Sequence, residues 1–285
     1  MCDEHTEKDN EALRKSGRLS RRGFGALAGA AGMALMLPRP ANAQEVTGAD
    51  VTVPTPDGMC DAYFVHPAEG AHAGVVMWPD IFGLRPAFRA MGDRLAASGY
   101  AVLVPNPFYR TVAGSVVVEG EAFGESLQRL LPMARELTPE RVIADATALT
   151  AWLDGQESVD AARRIGVMGF CMSGPYTIRA AAALPERVGA GASFHGGGIA
   201  TAAPDSPHLL APQTMARFLF AIAQNDDAQD PESKDRLREA FGDSAEVEVY
   251  PAQHGWVPPD GQVYDEAQAE RAWARLLALF ETALA

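Results

Sequence analysis

The sequence predicts an α/β fold with a mostly parallel central sheet and helices on both of its faces. Short β-branched runs alternate with longer segments of helical periodicity, and this alternation is typical of parallel sheets. The apolar run at residues 73–78 shows no polar alternation, as a strand buried on both faces requires. No internal repeat and no low-complexity linker follows residue 43, so we expect one domain over residues 44–285.

The first elements are predicted to be an antiparallel hairpin, the buried strand, a helix and a second buried strand. Strands at residues 51–53 and 59–66 flank a turn at 54–58 that contains Pro, Asp and Gly. After the strand at 73–78, apolar residues recur at helical spacing. Gly99 ends that helix before a strand at 101–104.

The later elements continue the same alternation. Residues 127–137 can be helical, and Thr138 followed by Pro139 is a capping residue and a first-position proline that begin another helix. The remaining strands are predicted at residues 164–168, 188–194, 218–223 and 245–250, and the remaining helices at 173–183, 231–241 and 267–284. Sites in such sheets lie beyond the carboxyl ends of the strands, so the residues that follow each strand are the candidates.

The chain is strongly acidic. Its 37 Asp and Glu residues outnumber its 24 Lys and Arg residues, which gives a formal net charge of -13. A field of this sign repels polyanions, so we expect no nucleic-acid partner.

The first 43 residues have the parts of an export signal. Basic side chains precede an apolar run at residues 26–37, and Ala41 and Ala43 provide a small-residue cleavage site. Arg21 and Arg22, followed at two residues by Phe24, resemble the twin-arginine signal, which implies export of a folded protein by the twin-arginine machinery. We therefore expect a periplasmic or secreted protein that begins near Gln44. The alternative is an N-terminal membrane anchor, although the apolar run is shorter than the usual span of about 20 residues.

The run at residues 169–174, Gly-Phe-Cys-Met-Ser-Gly, directly follows a predicted strand and leads into a predicted helix. Small residues around a sharp turn let a nucleophile project from the sheet, with the next backbone N–H groups facing incoming negative charge. A helix N-terminus also lowers a thiol pKa. Cys171 is therefore the nucleophile candidate. The alternatives are a buried apolar cysteine and a disulfide with Cys60.

A base and an orienting carboxylate follow two later strands. His254 lies in the loop after the strand at 245–250, and Asp226 follows the strand at 218–223, with Asp227 as the fallback. The order Cys171, Asp226, His254 is the nucleophile, acid, histidine order of α/β hydrolases. A surface-loop histidine and a turn-capping aspartate are the alternatives.

Four segments together identify a family. The run Trp-Pro-Asp-Ile-Phe-Gly-Leu at residues 78–84, the residues 95–105, the run around Cys171 and the pair His254-Gly255 resemble the dienelactone hydrolase family. The resemblance implies an α/β-hydrolase fold and a Cys-Asp-His triad that acts on ester or lactone carbonyls without a cofactor. It also implies that the backbone N–H groups of Met172 and Ile81 form the oxyanion hole.

Two positions depart from the family pattern. The family commonly has Glu, which contacts the resting thiol, where this chain has Asp80; the alternative is a helix-capping carboxylate. Arg110 matches one of two arginines that clamp a substrate carboxylate, but no arginine follows His254, and Arg110 could instead be a surface charge. We also expect His195 and Trp256 to contact substrate, with a structural histidine and a core aromatic as alternatives.

The sequence thus predicts a cofactor-independent hydrolase of small carboxylic esters or lactones that works through an acyl-enzyme. No Walker loop, dinucleotide fingerprint or His-Glu-x-x-His motif is present, so neither a nucleotide nor a catalytic metal is expected. The alternative is a catalytically silent scaffold that binds a hydrophobic or carboxylate ligand. A weaker alternative is thiol redox chemistry through Cys60 and Cys171, which lack the close spacing of a dithiol motif.

Overall fold

A computed structural model describes residues 37–38, 40 and 42–285 of the chain. The strands in this part form one sheet and are numbered in chain order as β1 (Val46–Thr55), β2 (Gly58–Pro67), β3 (Gly74–Trp78), β4 (Ala101–Pro105), β5 (Ile165–Phe170), β6 (Val188–Phe194), β7 (Arg217–Ala223) and β8 (Ala245–Tyr250). Their order across the sheet is β1-β2-β4-β3-β5-β6-β7-β8. β1 and β2 pair antiparallel with each other, and β2 pairs antiparallel with β4. All pairings from β4 through β8 are parallel.

The helices are α1 (Pro86–Ala97), α2 (Phe123–Arg135), α3 (Pro139–Asp154), α4 (Gly174–Ala183), α5 (Gln224–Gln229), α6 (Ser233–Phe241) and α7 (Glu266–Ala283), with short 3-10 turns at Cys171–Ser173, Pro207–Gln213 and Gly242–Ser244. Side chains alternate across the sheet, so successive strand residues enter opposite cores. Val75 and Met77 pack with α1 and α7 on one face. Val76 and Trp78 pack with α3, α4 and α6 on the other. The predicted α/β fold, with helices on both faces of a mostly parallel sheet, is confirmed.

The predicted elements occur, and several have different ends. β1 begins at Val46 rather than residue 51, because it pairs with β2 along its whole length, from Val46 opposite Pro67 to Thr55 opposite Gly58. Helix α1 ends where predicted, and Gly99 has the left-handed φ of 99° that favours glycine. Helix α5 was not predicted, because its six residues, Gln-Asn-Asp-Asp-Ala-Gln, carry no apolar periodicity.

A third and smaller apolar cluster lies beside the carboxyl ends of β3 and β4. Most of this cluster comes from residues 106–135, a loop followed by α2, which we call the cap segment. The buried members of the cluster are Ile81, from the loop after β3, and Phe108, Val116, Leu127 and Leu130 of the cap segment. Clusters of this kind commonly lie under long loops and hold them on the domain. Here Ile81 of the loop after β3 anchors the cap segment next to the residues that follow the parallel strands.

Several expectations concern the N-terminal region and the cysteines. The predicted twin-arginine pair and nearly all of the apolar run lie outside the described residues. Within the part that the structure describes, no helix is both long enough and apolar enough to cross a bilayer. Cys60 and Cys171 are both buried, and neither forms a disulfide, so the predicted alternative in which they pair is not realised.

Candidate active site

The candidate nucleophile lies on a sharp turn between β5 and α4. Cys171 has a φ of 54°, and among described residues other than glycine only His195 shares a positive φ. A β-carbon at Gly169 would lie 2.2 Å from the Ser173 carbonyl oxygen, and one at Gly174 would lie 2.4 Å from the Cα atom of Gly196. Larger residues would force these segments apart. The glycines around Cys171 therefore permit the tight turn that lifts its side chain from the sheet edge.

Ser173 secures this turn, although the sequence did not single it out. The Phe170 N–H donates to its Oγ at 2.8 Å, and the hydroxyl lies 2.9 Å from the Trp78 carbonyl oxygen, to which it donates. Ser173 is fully buried. Because Trp78 is the last residue of β3, this hydroxyl ties the nucleophile turn to the loop that carries Asp80 and Ile81.

The candidate base, on the loop after β8, meets its carboxylate on helix α5, which follows β7. His254 Nδ1 lies 2.8 and 2.9 Å from the two carboxylate oxygens of Asp226, which is in the first turn of α5. An ionised carboxylate can only accept, so Nδ1 carries the proton and Nε2 is left for the thiol side. The His254 backbone N–H donates to Asn225 Oδ1 at 2.8 Å, which fixes the loop against the same helix. Asp227 instead pairs with Lys234 at 2.6 Å, so the structure brings Asp226 to His254 and not the fallback.

The electrostatics of His254 depend on Cys171. Burial alone would lower the imidazole pKa, but the negative charges of Cys171 and Asp226, together with hydrogen bonds to both, raise it to about 10. The imidazolium form of His254 is therefore favoured as long as Cys171 and Asp226 carry negative charge. The geometry unites the three residues predicted from their positions after β5, β7 and β8.

The predicted oxyanion-hole residues follow β3 and β5, which are neighbouring strands of the sheet. Met172 directly follows Cys171, and Ile81 lies three residues after the end of β3. The Met172 side chain packs against the same apolar cluster that buries Ile81. Their side chains thus share one apolar wall beside the thiol, on the side of the cap segment.

Asp80 is part of a buried ion-pair cluster that the sequence did not reveal. Its carboxylate accepts two hydrogen bonds from Arg85, at 2.6 and 3.0 Å, and Oδ1 also accepts from the Phe82 N–H at 2.9 Å. Arg85 donates in turn to both carboxylate oxygens of Asp260, at 2.6 and 3.0 Å. Burial raises the pKa of Asp80 against the opposing effect of Arg85, and the nearby charge of Cys171 raises it further. Asp80 therefore lies within the electrostatic reach of the thiol while it also closes the turn at Phe82.

Arg110, predicted to bind a substrate carboxylate, is bound to two carboxylates of the protein. Its Nη1 and Nη2 donate to Asp145 of α3, both at 2.8 Å, and its Nε donates to Asp57 of the β1–β2 turn at 2.8 Å. The side chain thus ties the N-terminal hairpin to α3. Tyr109 donates to the same Asp145 at 2.8 Å, so this cluster also holds the start of the cap segment in place.

The His195 ring packs edge-to-face against both the His254 ring and the Trp256 ring. The ring centroids of His195 and His254 are 4.9 Å apart, and those of His195 and Trp256 are 5.2 Å apart. Burial, followed by the charge of His254, lowers the pKa of His195 well below its usual value, so this imidazole is neutral. Trp256 has no exposed surface and stacks on Tyr250, with centroids 5.3 Å apart. Trp256 therefore supports the histidine pair from the core.

The loop that begins with His195 also contacts the nucleophile turn. The Gly197 N–H donates to the Cys171 carbonyl oxygen at 3.1 Å, and Gly196 lies against Gly174. This contact accounts for Gly196, because the two backbones approach too closely for a side chain there. Among the described residues, no group of three or more His, Cys, Asp or Glu side chains is arranged as a metal site.

Comparison with known proteins places the chain in a family. The sequence matches the dienelactone hydrolase family over residues 60–284. A protein of Methylorubrum extorquens is 29% identical over 287 residues, which cover 95% of each chain. A protein of Rhodococcus opacus named carboxymethylenebutenolidase is 26% identical over 76% of this chain and 85% of its own length. A crystal structure from Klebsiella pneumoniae has the same fold, with a TM-score of 0.72 at 24% identity, and covers 84% of this chain and 100% of that one.

Proposed function

The chain belongs to the dienelactone hydrolase family, and on that premise we propose that it hydrolyses carboxylic esters or lactones without a cofactor. Cys171 is the proposed nucleophile, His254 the acid and base, and Asp226 the carboxylate that orients the imidazole. The observation that carries this proposal is the contact of His254 with Asp226 at 2.8 Å while the charge of Cys171 raises the His254 pKa. The Rhodococcus opacus relative, whose name is that of a lactone hydrolase, supports the same substrate class.

In the proposed first half-reaction, the Cys171 thiolate attacks the carbonyl carbon. The carbonyl π electrons move to oxygen, and the backbone N–H groups of Met172 and Ile81 donate to the resulting oxyanion. Collapse of this tetrahedral intermediate breaks the bond to the alkoxy oxygen, which takes a proton from His254. The products of this half-reaction are a thioester on Cys171 and an alcohol, which stays attached to the acyl group when the substrate is a lactone.

In the second half-reaction, His254 is neutral and takes a proton from water as that water attacks the thioester. The second tetrahedral intermediate collapses with release of the acid, and Cys171 leaves as thiolate beside the protonated imidazole. Asp226 stabilises the imidazolium that is present in the resting enzyme and after each attack. One ester bond and one water are consumed, and no oxidant, metal or cofactor takes part.

Four further residues have proposed roles that are subordinate to the triad. His195, whose two ring nitrogens have no partner among the described residues, is proposed to bind substrate once the site opens to it. Trp256 is proposed to support that site from behind. Asp80 is proposed to influence the protonation of the Cys171 thiol electrostatically while its own carboxylate stays bound to Arg85. A substrate role for Arg110 would require it to exchange Asp57 or Asp145 for the substrate.

We also propose that the protein is exported in folded form to the periplasm or beyond, by the twin-arginine machinery. The basis is the sequence of residues 1–43, in which Arg21 and Arg22 precede an apolar run and Ala43.

The hydrolase proposal is tested with 4-nitrophenyl butyrate and three proteins: wild type, Cys171→Ala and Cys60→Ala. We expect Cys171→Ala to lose at least about a thousandfold in kcat/KM, because it lacks the attacking atom. Cys60→Ala, which removes the other buried thiol, should retain activity. A butyryl adduct on Cys171, detected by mass spectrometry after rapid acid quench, would show the covalent intermediate. Equal rates for wild type and Cys171→Ala would contradict the proposal and favour a ligand-binding scaffold.

A further inference from the structure

Arg85, which pairs with Asp80 of the loop after β3, has no hydrogen-bond donor left for a substrate. Nε of Arg85 donates to Asp260, Nη1 donates to Asp80 and to the Gly83 carbonyl oxygen, and Nη2 donates to both aspartates. These contacts use all five N–H groups of the guanidinium. Arg85 is also only 7% exposed. It is therefore a buried structural cation and is not available to clamp a carboxylate.

Arg110, which follows β4, is likewise bound by carboxylates of the protein. Nε, Nη1 and Nη2 of Arg110 all donate to Asp57 or Asp145, and the guanidinium lies over the Tyr109 ring. Each of the two arginines thus faces two carboxylates of the protein, which already match its positive charge. A substrate carboxylate would have to displace one aspartate from its hydrogen bonds with the arginine, beside the remaining carboxylate.

The side of the candidate site that Met172 forms is apolar. Met172, which directly follows Cys171, packs against the cluster that contains Ile81 and the cap segment. Phe82 and Phe123 are half-buried at the edge of this cluster, with ring centroids 5.6 Å apart. On the same loop as buried Val116, Val117 is 46% exposed and Val118 is 54% exposed. Apolar surface that is only partly covered therefore adjoins the cluster against which Met172, the residue after Cys171, packs.

From these two observations we propose that the site selects uncharged esters or lactones with an apolar group next to the reacting carbonyl, and that it discriminates against substrates with a carboxylate there. The inference rests on the hydrolase function proposed above and names the substrate class of the same site. Met172, Phe82 and Phe123 contact the apolar group. The carboxylates that saturate Arg85 and Arg110 repel an anionic one.

The test compares two substrates of equal acyl length, 4-nitrophenyl butyrate and mono-4-nitrophenyl succinate. They differ in a terminal methyl against a terminal carboxylate. We expect kcat/KM for the butyrate to exceed that for the succinate at least about tenfold, because like charges at short range cost free energy and are not compensated here. A kcat/KM for the succinate equal to or above that for the butyrate would overturn the proposal.

A second measurement separates this proposal from the hydrolase proposal. Isothermal titration of Cys171→Ala with the two esters measures the same preference without turnover. If wild type hydrolyses neither ester, the hydrolase proposal fails, and the titration still decides the preference. Tighter binding of the butyrate would support the selectivity, and equal or tighter binding of the succinate would refute it.

Two matched pairs of variants assign the selectivity to the residues that carry it. Phe123→Ala should raise KM for the butyrate several-fold, with little change for the succinate. Leu209→Ala, at an exposed position in the Pro207–Gln213 turn, should change neither KM.

Asp260→Asn should narrow the ratio of kcat/KM for the butyrate to kcat/KM for the succinate several-fold, because it removes one carboxylate from Arg85. Asp243→Asn removes an equal charge, but Asp243 lies just before β8 begins, whereas Asp260 lies after β8 ends. This variant should leave the ratio unchanged. Equal effects within either pair would contradict the assignment.

Discussion

His254 Nδ1 and the carboxylate of Asp226 are 2.8 Å apart and join the loop that follows β8 to helix α5, which follows β7. The neighbouring Asp227 lies one residue further along the same helical turn and pairs with Lys234 at 2.6 Å. The two aspartates therefore form a natural matched pair, because they share a helix and a charge but differ in whether they contact the imidazole.

Asp226→Asn is expected to lower kcat for 4-nitrophenyl butyrate by about a hundredfold to ten-thousandfold, because an amide can hold the wrong imidazole tautomer and cannot stabilise the imidazolium. Asp227→Asn is expected to leave kcat within about threefold, because it loses only a partly exposed ion pair. Both rates are measured at saturating substrate. A larger loss in Asp227→Asn would move the orienting role to that residue.

The alkaline limb of the pH profile should report the protonated imidazole. The pKa of His254 is raised to about 10, so the imidazolium is present below that pH and is lost as the pH rises through it. With ethyl butyrate, whose alkoxide needs a proton to leave, kcat/KM should fall above about pH 10, and in Asp226→Asn the fall should occur at lower pH. The acid released is followed in a pH-stat. 4-Nitrophenyl butyrate is the control, because nitrophenolate leaves without a proton and its profile should decline less.

The two buried thiols should differ strongly in reactivity. Cys60 and Cys171 are each 2% exposed, so access does not distinguish them. Burial, with the charges of Asp145 and Asp61, raises the pKa of Cys60 far above its usual value, whereas Cys171 is paired with the imidazole of His254. Iodoacetamide at neutral pH should therefore modify Cys171 first and Cys60 only after denaturation, as peptide mass spectrometry would show. Modification of both at similar rates would contradict thiolate formation at Cys171.

Arg85→Gln should destabilise the domain by about 3–5 kcal/mol, because it leaves the carboxylates of Asp80 and Asp260 without their shared cation. Urea unfolding followed by circular dichroism measures this loss. Arg238→Gln is the matched control, because it breaks an ion pair with Asp235 whose two side chains are 51% and 70% exposed. That loss should be below about 1 kcal/mol. Similar losses in the two variants would argue against a structural role for the buried cluster.

The export proposal predicts that changing Arg21 and Arg22 together to lysine blocks translocation and leaves the protein in the cytoplasm. Cell fractionation with an antibody against the folded domain measures the distribution. Changing Arg14 and Arg18 to lysine is the control for conservative substitution of basic residues earlier in the same leader. Continued export of the Arg21 and Arg22 variant would indicate another route.

The sequence was sufficient for the sheet and for the expectation that the three candidate residues lie at one edge of it, for a physical reason. Each triad residue follows a parallel strand, and the carboxyl ends of parallel strands lie at one edge of the sheet. Residues that are distant in the chain, such as Cys171 and His254, can therefore be expected to meet without knowledge of any distance. The choice between Asp226 and Asp227 required the structure, because the two differ only in their direction from α5.

The ion-pair cluster around Arg85 could not be predicted in the same way. Asp260 is 175 residues from Arg85 in the chain and lies in an irregular loop, where no periodicity constrains the direction of a side chain. The packing of the cap segment could not be predicted for a related reason. Its contacts with Ile81 and Met172 join segments that are distant in the chain, and the sequence predicts only the helical part of the cap segment, α2.

The cysteines of the folded part bear on where this protein can be made. Cys60 is held as a protonated thiol, with Sγ 3.5 Å from the Asn106 carbonyl oxygen, and no disulfide links it to Cys171. The fold of residues 44–285 is therefore complete without any thiol oxidation, and its assembly does not depend on the redox potential of the compartment. Synthesis of residues 44–285 in a reducing cytosol should yield the same native domain as synthesis in an oxidising compartment, without oxidant or disulfide isomerase.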